Sequence, residues 1–263
     1  MNRHLEAILS HTAEAVLARL PHSRPDDAAL AHARVVSHRG ERDGRRVREN
    51  TFAAFDPAVA AGVAGIEFDI RYTRDDEPVV VHDADLKRVF GFADIVADTP
   101  WQTLRRRVPE LPHLQSLLER YHARAHLMIE IKTRGTPRAE QRLVDLLGGL
   151  TPSRDFHVLA LDTQLFEAVS DLPGHARLPV AKFNLSALHD WAINNDCAGL
   201  AGPFALLRSR HIDTLQHRGA WVGSGFVRTP AMCLREIARG VNWVFSNNAV
   251  RIQQGLDRAR ERR

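Results

Sequence analysis

Between Arg34 and Ser246 the chain alternates short apolar runs with stretches of helical periodicity, a pattern that confines it to a parallel α/β architecture. Strand-like runs fall at residues 34–37, 65–70, 126–131, 156–161, 177–181, 197–201, 220–224 and 242–246. Helices are expected between them at about 52–62, 137–148, 163–171, 184–194, 205–217 and 229–239. Eight strands in 263 residues match a single (β/α)8 TIM-type barrel.

A ninth run, residues 78–82, breaks the rhythm. A parallel neighbour of the second strand would need a crossover of roughly a dozen residues or more. Only seven intervene. The run therefore reads as an antiparallel hairpin excursion after the second strand, turning on Asp75-Asp76. A two-residue turn there places His82 opposite Asp69. The long stretch from Leu86 to Arg124, punctuated by Trp101, Pro109 and Pro112, either covers the substrate entrance or packs as a structural insertion.

Ahead of the barrel, Leu5, Ile8, Leu9, Thr12, Ala13, Val16, Leu17 and Leu20 recur at helical spacing and Pro21 follows, predicting an amphipathic N-terminal helix over 2–20. Its mixed polar face suits packing on the barrel exterior or across its closed end rather than a membrane surface. The expected organisation is an N-terminal helix and connector at 1–33, a barrel at 34–250 and a basic C-terminal tail at 251–263.

Composition removes several alternatives. With 44% hydrophobic and 26% charged residues the chain can bury a large core. Its net charge of +4 (36 basic against 32 acidic) collects in local runs such as Arg105-Arg106-Arg107, and aromatics are 6%, so the basic stripe with interleaved aromatics of a nucleic-acid binder is missing. Cys197 and Cys233 form no metal or redox spacing. Glu6, His11, Glu14 and Arg19 interrupt the first twenty residues, so neither a signal peptide nor a membrane span is expected. A cytoplasmic protein without stable membrane insertion is the expectation.

Four polar clusters lie at strand ends or on the returning excursion: His38-Arg39-Gly40, Glu67-Phe68-Asp69, His82-Asp83 and Glu130-Ile131-Lys132. The C-terminal strand ends are where such barrels carry chemistry. Glu67 and Asp69 are two apart on one strand and share a face; Glu130, within the apolar run Met128-Ile129-Ile131, needs a partner for its charge. Three carboxylates without clustered cysteines suit Mg2+ or Ca2+ better than zinc, although spacing alone equally permits a surface salt-bridge site. His38 and His82, each following an apolar run, are the candidate general base and general acid; an isolated histidine among 14 would more often be a surface or hydrogen-bonding residue. Asp83 either orients an imidazole or caps a turn. Arg39 and Lys132 can clamp phosphoryl oxygens or balance the acidic cluster. Glu49 is a candidate supporting or substrate-hydroxyl residue, and Asn50 or Thr51 a helix cap.

The set His38-Arg39-Gly40, Glu49-Asn50-Thr51, Gly65-Ile66-Glu67-Phe68-Asp69-Ile70, Thr73, Val81-His82-Asp83 and Glu130-Ile131-Lys132 resembles the glycerophosphodiester phosphodiesterase family, strongly over 34–132 and more weakly to about 250. The resemblance implies a phospholipase-C-like barrel that hydrolyses a small-molecule glycerophosphodiester to glycerol 3-phosphate and an alcohol. It makes His38 and His82 the acid/base pair, Glu67, Asp69 and Glu130 the metal ligands, and Arg39 and Lys132 the phosphate contacts. The chain departs from the family pattern in Arg48, in a longer loop between His38 and Glu49, in Gly225-Phe226 and in Ser246-Asn247. These changes bear on the pocket for the alcohol or glycerol group. Lipid diesters such as lysophospholipids, or phosphorylated ligands bound without turnover, are the alternatives.

Overall fold

Alternation along the second strand shows how the barrel is made. Ile66, Phe68 and Ile70 point outward into the large apolar core beneath the helices, which leaves Glu67 and Asp69 facing inward. The barrel interior is filled by Val36, Met128, Leu159, Leu178, Ala201, Trp243 and Phe245. The computed structural model describes residues 23–262. The helix expected at 2–20 lies outside the described residues.

In chain order, α1 (Asp27–His32) leads into β1 (Arg34–His38), α2 (Phe52–Ala60) and β2 (Gly65–Tyr72). The excursion follows with β3 (Pro78–Val80), α3 (Lys87–Phe90), α4 (Trp101–Arg107) and α5 (Leu114–Tyr121). The barrel resumes with β4 (His126–Ile131), α6 (Pro137–Leu147) and β5 (Phe156–Ala160); a 3-10 helix, Thr163–Val169, replaces the helix expected at 163–171. Then come β6 (Arg177–Pro179), α7 (Leu185–Asn194), β7 (Gly199–Pro203), α8 (Ser209–His217), β8 (Trp221–Gly225), α9 (Pro230–Ala238), β9 (Trp243–Ser246) and α10 (Ala249–Glu261). Thr51, Thr136 and Thr229 cap α2, α6 and α9 through their side chains, and Pro137 and Pro230 occupy first-turn positions where a missing N–H costs nothing.

All eight expected barrel strands form, in the order β6-β5-β4-β2-β1-β9-β8-β7, every pair on that path parallel. The circle closes through a single bridge, Val180 to Ala201. β3 pairs antiparallel with β2, one residue away from the expected register: Ile70, Arg71 and Tyr72 face Val80, Val79 and Pro78. Thr73 N–H bonds the Glu77 carbonyl around a three-residue loop, with Asp76 in the left-handed region at φ 65°. Val81 N–H therefore meets the Asp69 carbonyl at 2.9 Å, and His82 lies just beyond the position opposite Asp69. The stretch from Leu86 to Arg124 is a packed insertion: Leu86, Phe90, Val96, Leu104, Val108 and Leu111 form a separate small core with Val79 and Val81, while Leu114, Leu117, Leu118 and Tyr121 of α5 join the core of the barrel.

The expected basic tail at 251–263 is instead mostly the last turns of α10. Ala249, Ile252 and Leu256 recur at helical spacing and are buried, while Arg260 donates to the Leu30 and Ala33 carbonyls at 2.9 and 3.0 Å. The arginines project from an amphipathic helix that finishes the barrel wall.

At the N-terminal end of the barrel, His126 Nε2 and His157 Nδ1 are 2.8 Å apart, packed against Trp221 and Trp243. Burial pushes His126 down to about 4 and His157 down to about 3. Below pH about 6.5 an unfolded chain protonates both rings while the folded one cannot until pH 4 to 3, so stability is lost progressively across that window, at about 1.4 kcal/mol per pH for each ring. Melting temperatures are expected to fall between pH 6.5 and 4, and less steeply in His157→Phe. Parallel pH curves for the two proteins would contradict this account.

Candidate active site

Strand register assembles the site. β1 pairs His38 with Glu67, and β4 pairs Glu130 with Asp69, so three chain segments place their functional residues in adjacent positions at the C-terminal mouth. Oxygens of Glu67, Asp69 and Glu130 lie within 4.8 Å of one another, and all three side chains are buried. Among the described residues, neither carboxylate oxygen of Glu67 has a hydrogen-bond partner, nor has Asp69 Oδ1, and all three are buried. Bare carboxylate oxygens at this depth are costly unless a cation meets them, and an all-oxygen donor set fits a hard divalent ion. Burial, and then Asp69 and Glu130, push the Glu67 carboxyl well above its usual range; Glu130 rises because of burial and then Asp69. Burial opposes ionisation of Asp69 too, yet Arg39 and then Lys132 hold it down to about 2.

The fixed cations are threaded through this cluster. Arg39 sits at φ 60°, its N–H bonded to the Glu67 carbonyl at 2.9 Å and its carbonyl accepting from Asn50 N–H at 3.0 Å. That turn aims Arg39 Nε at Asp69 Oδ2, 2.9 Å away. Gly40 follows at φ 80°, where a Cβ would come within 2.5 Å of Ala54. Lys132 Nζ contacts Glu130 Oε1 and lies 3.4 Å from Asp69 Oδ1.

The two histidines flank the carboxylates. His38 Nε2 is 3.7 Å from Glu67 Oε2, and its Nδ1 is 2.6 Å from Asn247 Oδ1. His82 Nδ1 bonds Asp83 Oδ1 at 2.7 Å. Burial lowers His38 to about 3, Arg39 adding to it, and lowers His82 to about 4 against the pull of Asp69. Asp83 also takes a bond from Arg88, and Glu49 gathers Arg39, Arg42 and Arg88. Burial opposes ionisation of Glu49, but the bond from Arg88 and the charge of Arg39 keep its carboxyl below the usual range.

Every site residue anticipated from sequence falls in this one region. Four further contributors were not anticipated. Asn50, considered only as a cap, donates from Nδ2 to Asp69 Oδ2 at 2.8 Å, while Thr51 does the capping. Arg42 and Asn247 hold His38, and Arg88 ties the insertion to Glu49 and Asp83. The position of Asn247 just past the last strand was a usable signal. Arg88 gave none, because its reach depends on how the insertion packs.

The parallel eight-stranded barrel thus carries an oxygen-ligand cluster, two histidines and two fixed cations at its C-terminal mouth, the end at which such barrels carry chemistry. Residues 38–148 match the family model described as Glycerophosphoryl diester phosphodiesterase family. A glycerophosphodiester phosphodiesterase of Bacillus altitudinis is 29% identical over 114 residues, covering 39% of this chain and 46% of the relative. The lysophospholipase D GDPD1 of Rattus norvegicus is 43% identical over 79 residues, 30% of this chain and 24% of the relative. The chain spans about half or less of the length of the curated relatives it matches. Among solved structures, the glycerophosphodiester phosphodiesterase of Thermotoga maritima aligns with a TM-score of 0.72 at 21% identity, over 83% of this chain and 96% of that one. An Oleispira antarctica phosphodiesterase in complex with the product sn-glycerol-3-phosphate aligns with a TM-score of 0.74 at 22% identity, over 87% and 99%. At these identities the structural likeness carries the barrel fold alone.

Proposed function

We propose that this chain is a divalent-cation-dependent phosphodiesterase that hydrolyses glycerophosphodiesters to glycerol 3-phosphate and an alcohol. The observation that carries the reading is the buried Glu67, Asp69 and Glu130 group, with both Glu67 oxygens unpartnered, flanked by Arg39, Lys132, His38 and His82. The three carboxylates would hold Mg2+ or Ca2+, which when bound supplies charge stabilisation at a phosphoryl oxygen. Arg39 and Lys132 would bind the remaining phosphoryl oxygens, and the Glu49 and Asp69 ion pairs hold the Arg39 guanidinium in position for this. One histidine ring nitrogen takes the proton of the attacking oxygen as its bond to phosphorus forms. The other protonates the departing alkoxide as the opposite P–O bond breaks. Water or the glycerol 2-hydroxyl can serve as nucleophile; the second route passes through a cyclic phosphate detectable by rapid quench.

The reading includes a cytoplasmic, small-molecule reaction without nucleic acid or stable membrane insertion; no helix among the described residues is long and apolar enough to cross a membrane. A second reading, turnover of lysophospholipids, is favoured by Phe183 and Phe226, which are 74% and 51% exposed in the loops after β6 and β8. A panel of glycerophosphocholine, glycerophosphoethanolamine and lysophosphatidylcholine, assayed with Mg2+ and with Ca2+, separates them. The proposal expects higher kcat/KM on the deacylated diesters with release of glycerol 3-phosphate. Preference for the acylated substrate would transfer the assignment to the second reading, and no turnover with either cation would leave a phosphate-binding barrel.

A further inference from the structure

His38 has two ring nitrogens, and what holds one of them decides what the other can do. Its Nδ1 lies 2.6 Å from Asn247 Oδ1, and its Nε2 faces Glu67 Oε2 at 3.7 Å. An amide side chain can present either its oxygen or its NH2 to an imidazole, and the two orientations demand opposite tautomers. With the oxygen toward His38, the ring proton resides on Nδ1 and Nε2 carries a lone pair. With the NH2 toward His38, the proton moves to Nε2 and points at Glu67, where it would satisfy an oxygen that otherwise has no donor.

Arg42 removes the second possibility. Its Nη2 lies 3.0 Å from the same Asn247 oxygen, and a guanidinium only donates, so the amide atom it meets must be the acceptor. The guanidinium is itself held on every side: Nη1 donates to the His38 carbonyl at 2.7 Å, and Nε pairs with Glu49 Oε2 at 3.3 Å. Asn247 follows β9, the strand bonded to β1 on the side opposite β2, so the lock approaches His38 from outside the carboxylate cluster.

We propose that Asn247 and Arg42 are positioning residues that together fix His38 in the tautomer protonated on Nδ1, leaving Nε2 as the proton-accepting atom toward the reaction centre. In the step this serves, the Nε2 lone pair forms an N–H bond as the O–H bond of the nucleophile breaks, and the freed oxygen electron pair goes to phosphorus; the Nδ1 proton stays on the ring, donated to Asn247. The inference rests on the hydrolytic reading for its catalytic consequence, but the tautomer itself does not.

The test is a long-range 1H–15N correlation spectrum of the uniformly 15N-labelled protein, with the His38 signals assigned by their loss in His38→Asn. The wild type is expected to show Nδ1 protonated and Nε2 bare. Asn247→Asp keeps an acceptor and should retain both the tautomer and kcat within about tenfold, whereas Asn247→Leu and Arg42→Met should give mixed or reversed tautomers. On any diester the protein turns over, Asn247→Leu should lose kcat by roughly 10²-fold with KM little changed. A wild-type His38 protonated on Nε2, or an Asn247→Leu protein with unaltered tautomer and kcat, would overturn the inference. If no diester is hydrolysed, the spectra still decide it, so its failure and that of the hydrolytic reading are distinguishable.

Discussion

Chelation of divalent cations is expected to reduce glycerophosphodiester hydrolysis to background, and Mg2+ or Ca2+ to restore it. Three carboxylates converge where the barrel excludes water, and Arg39 and Lys132 are the cations that enter ion pairs with them. Those two charges serve Asp69 and Glu130; among the described residues neither Glu67 oxygen has a hydrogen-bond partner. Such a group is held in the fold at a cost that a bound cation reverses. The same arrangement predicts a thermodynamic signature independent of turnover. Cation at about 100 times its Kd should stabilise the fold by about 2.7 kcal/mol, seen as a higher melting temperature. Glu67→Gln, which removes the charge with little change of shape, should abolish that shift and lower kcat/KM by at least about 10²-fold. A variant that keeps both the cation-induced shift and normal turnover would remove Glu67 from the ligand set.

Replacing His82 or His38 by alanine should lower kcat by about 10² to 10⁴-fold with folding retained. The two rings hold different surroundings although both are pushed below their ordinary range. His82 is backed by the Asp83 carboxylate, itself tied to Arg88, whereas His38 is backed by the neutral amide of Asn247 with Arg42 close behind. A carboxylate neighbour stabilises a ring that carries a proton, so His82 suits the leaving-group side and His38 the nucleophile side. A substrate with a leaving group that needs no proton, such as a p-nitrophenyl diester, separates the roles. It should rescue much of the His82→Ala defect and little of the His38→Ala defect. Equal losses on both substrates would contradict the division of roles, and near-normal kcat in either variant would remove that histidine from catalysis.

Much of this was legible in the sequence because the relevant signals are periodic. Period-two alternation put Glu67 and Asp69 on one face while Ile66, Phe68 and Ile70 took the other, and no tertiary information was needed to see it. The eight strands were likewise visible as apolar runs. The hairpin register was not, because one extra loop residue at positive φ shifts every partner by one, and Asp76 carries no glycine-like mark of that conformation. α10 was missed because its terminal arginines masked the spacing of Ala249, Ile252 and Leu256. Among the supporting residues, Asn247 was marked by its place just past the last strand, whereas Arg42 and Arg88 reach the site over loops, and their roles follow from packing geometry that no local pattern encodes.

The bridge joining Val180 to Ala201 gives the barrel a seam. Every other junction between neighbouring barrel strands carries a ladder, whereas here one bridge, which includes the Ala181 N–H to Ala201 bond, and the Ala198 N–H to Arg177 bond join β6 to β7. The carboxylates, Arg39 and Lys132 are anchored on β1, β2 and β4 or just beyond their ends, on the other arc of the circle. Backbone opening is therefore expected to be easiest where little chemistry is attached: amides beside the seam should exchange with solvent faster than those of β1, β2 and β4, giving the wall a yielding side and a rigid side without a dedicated hinge.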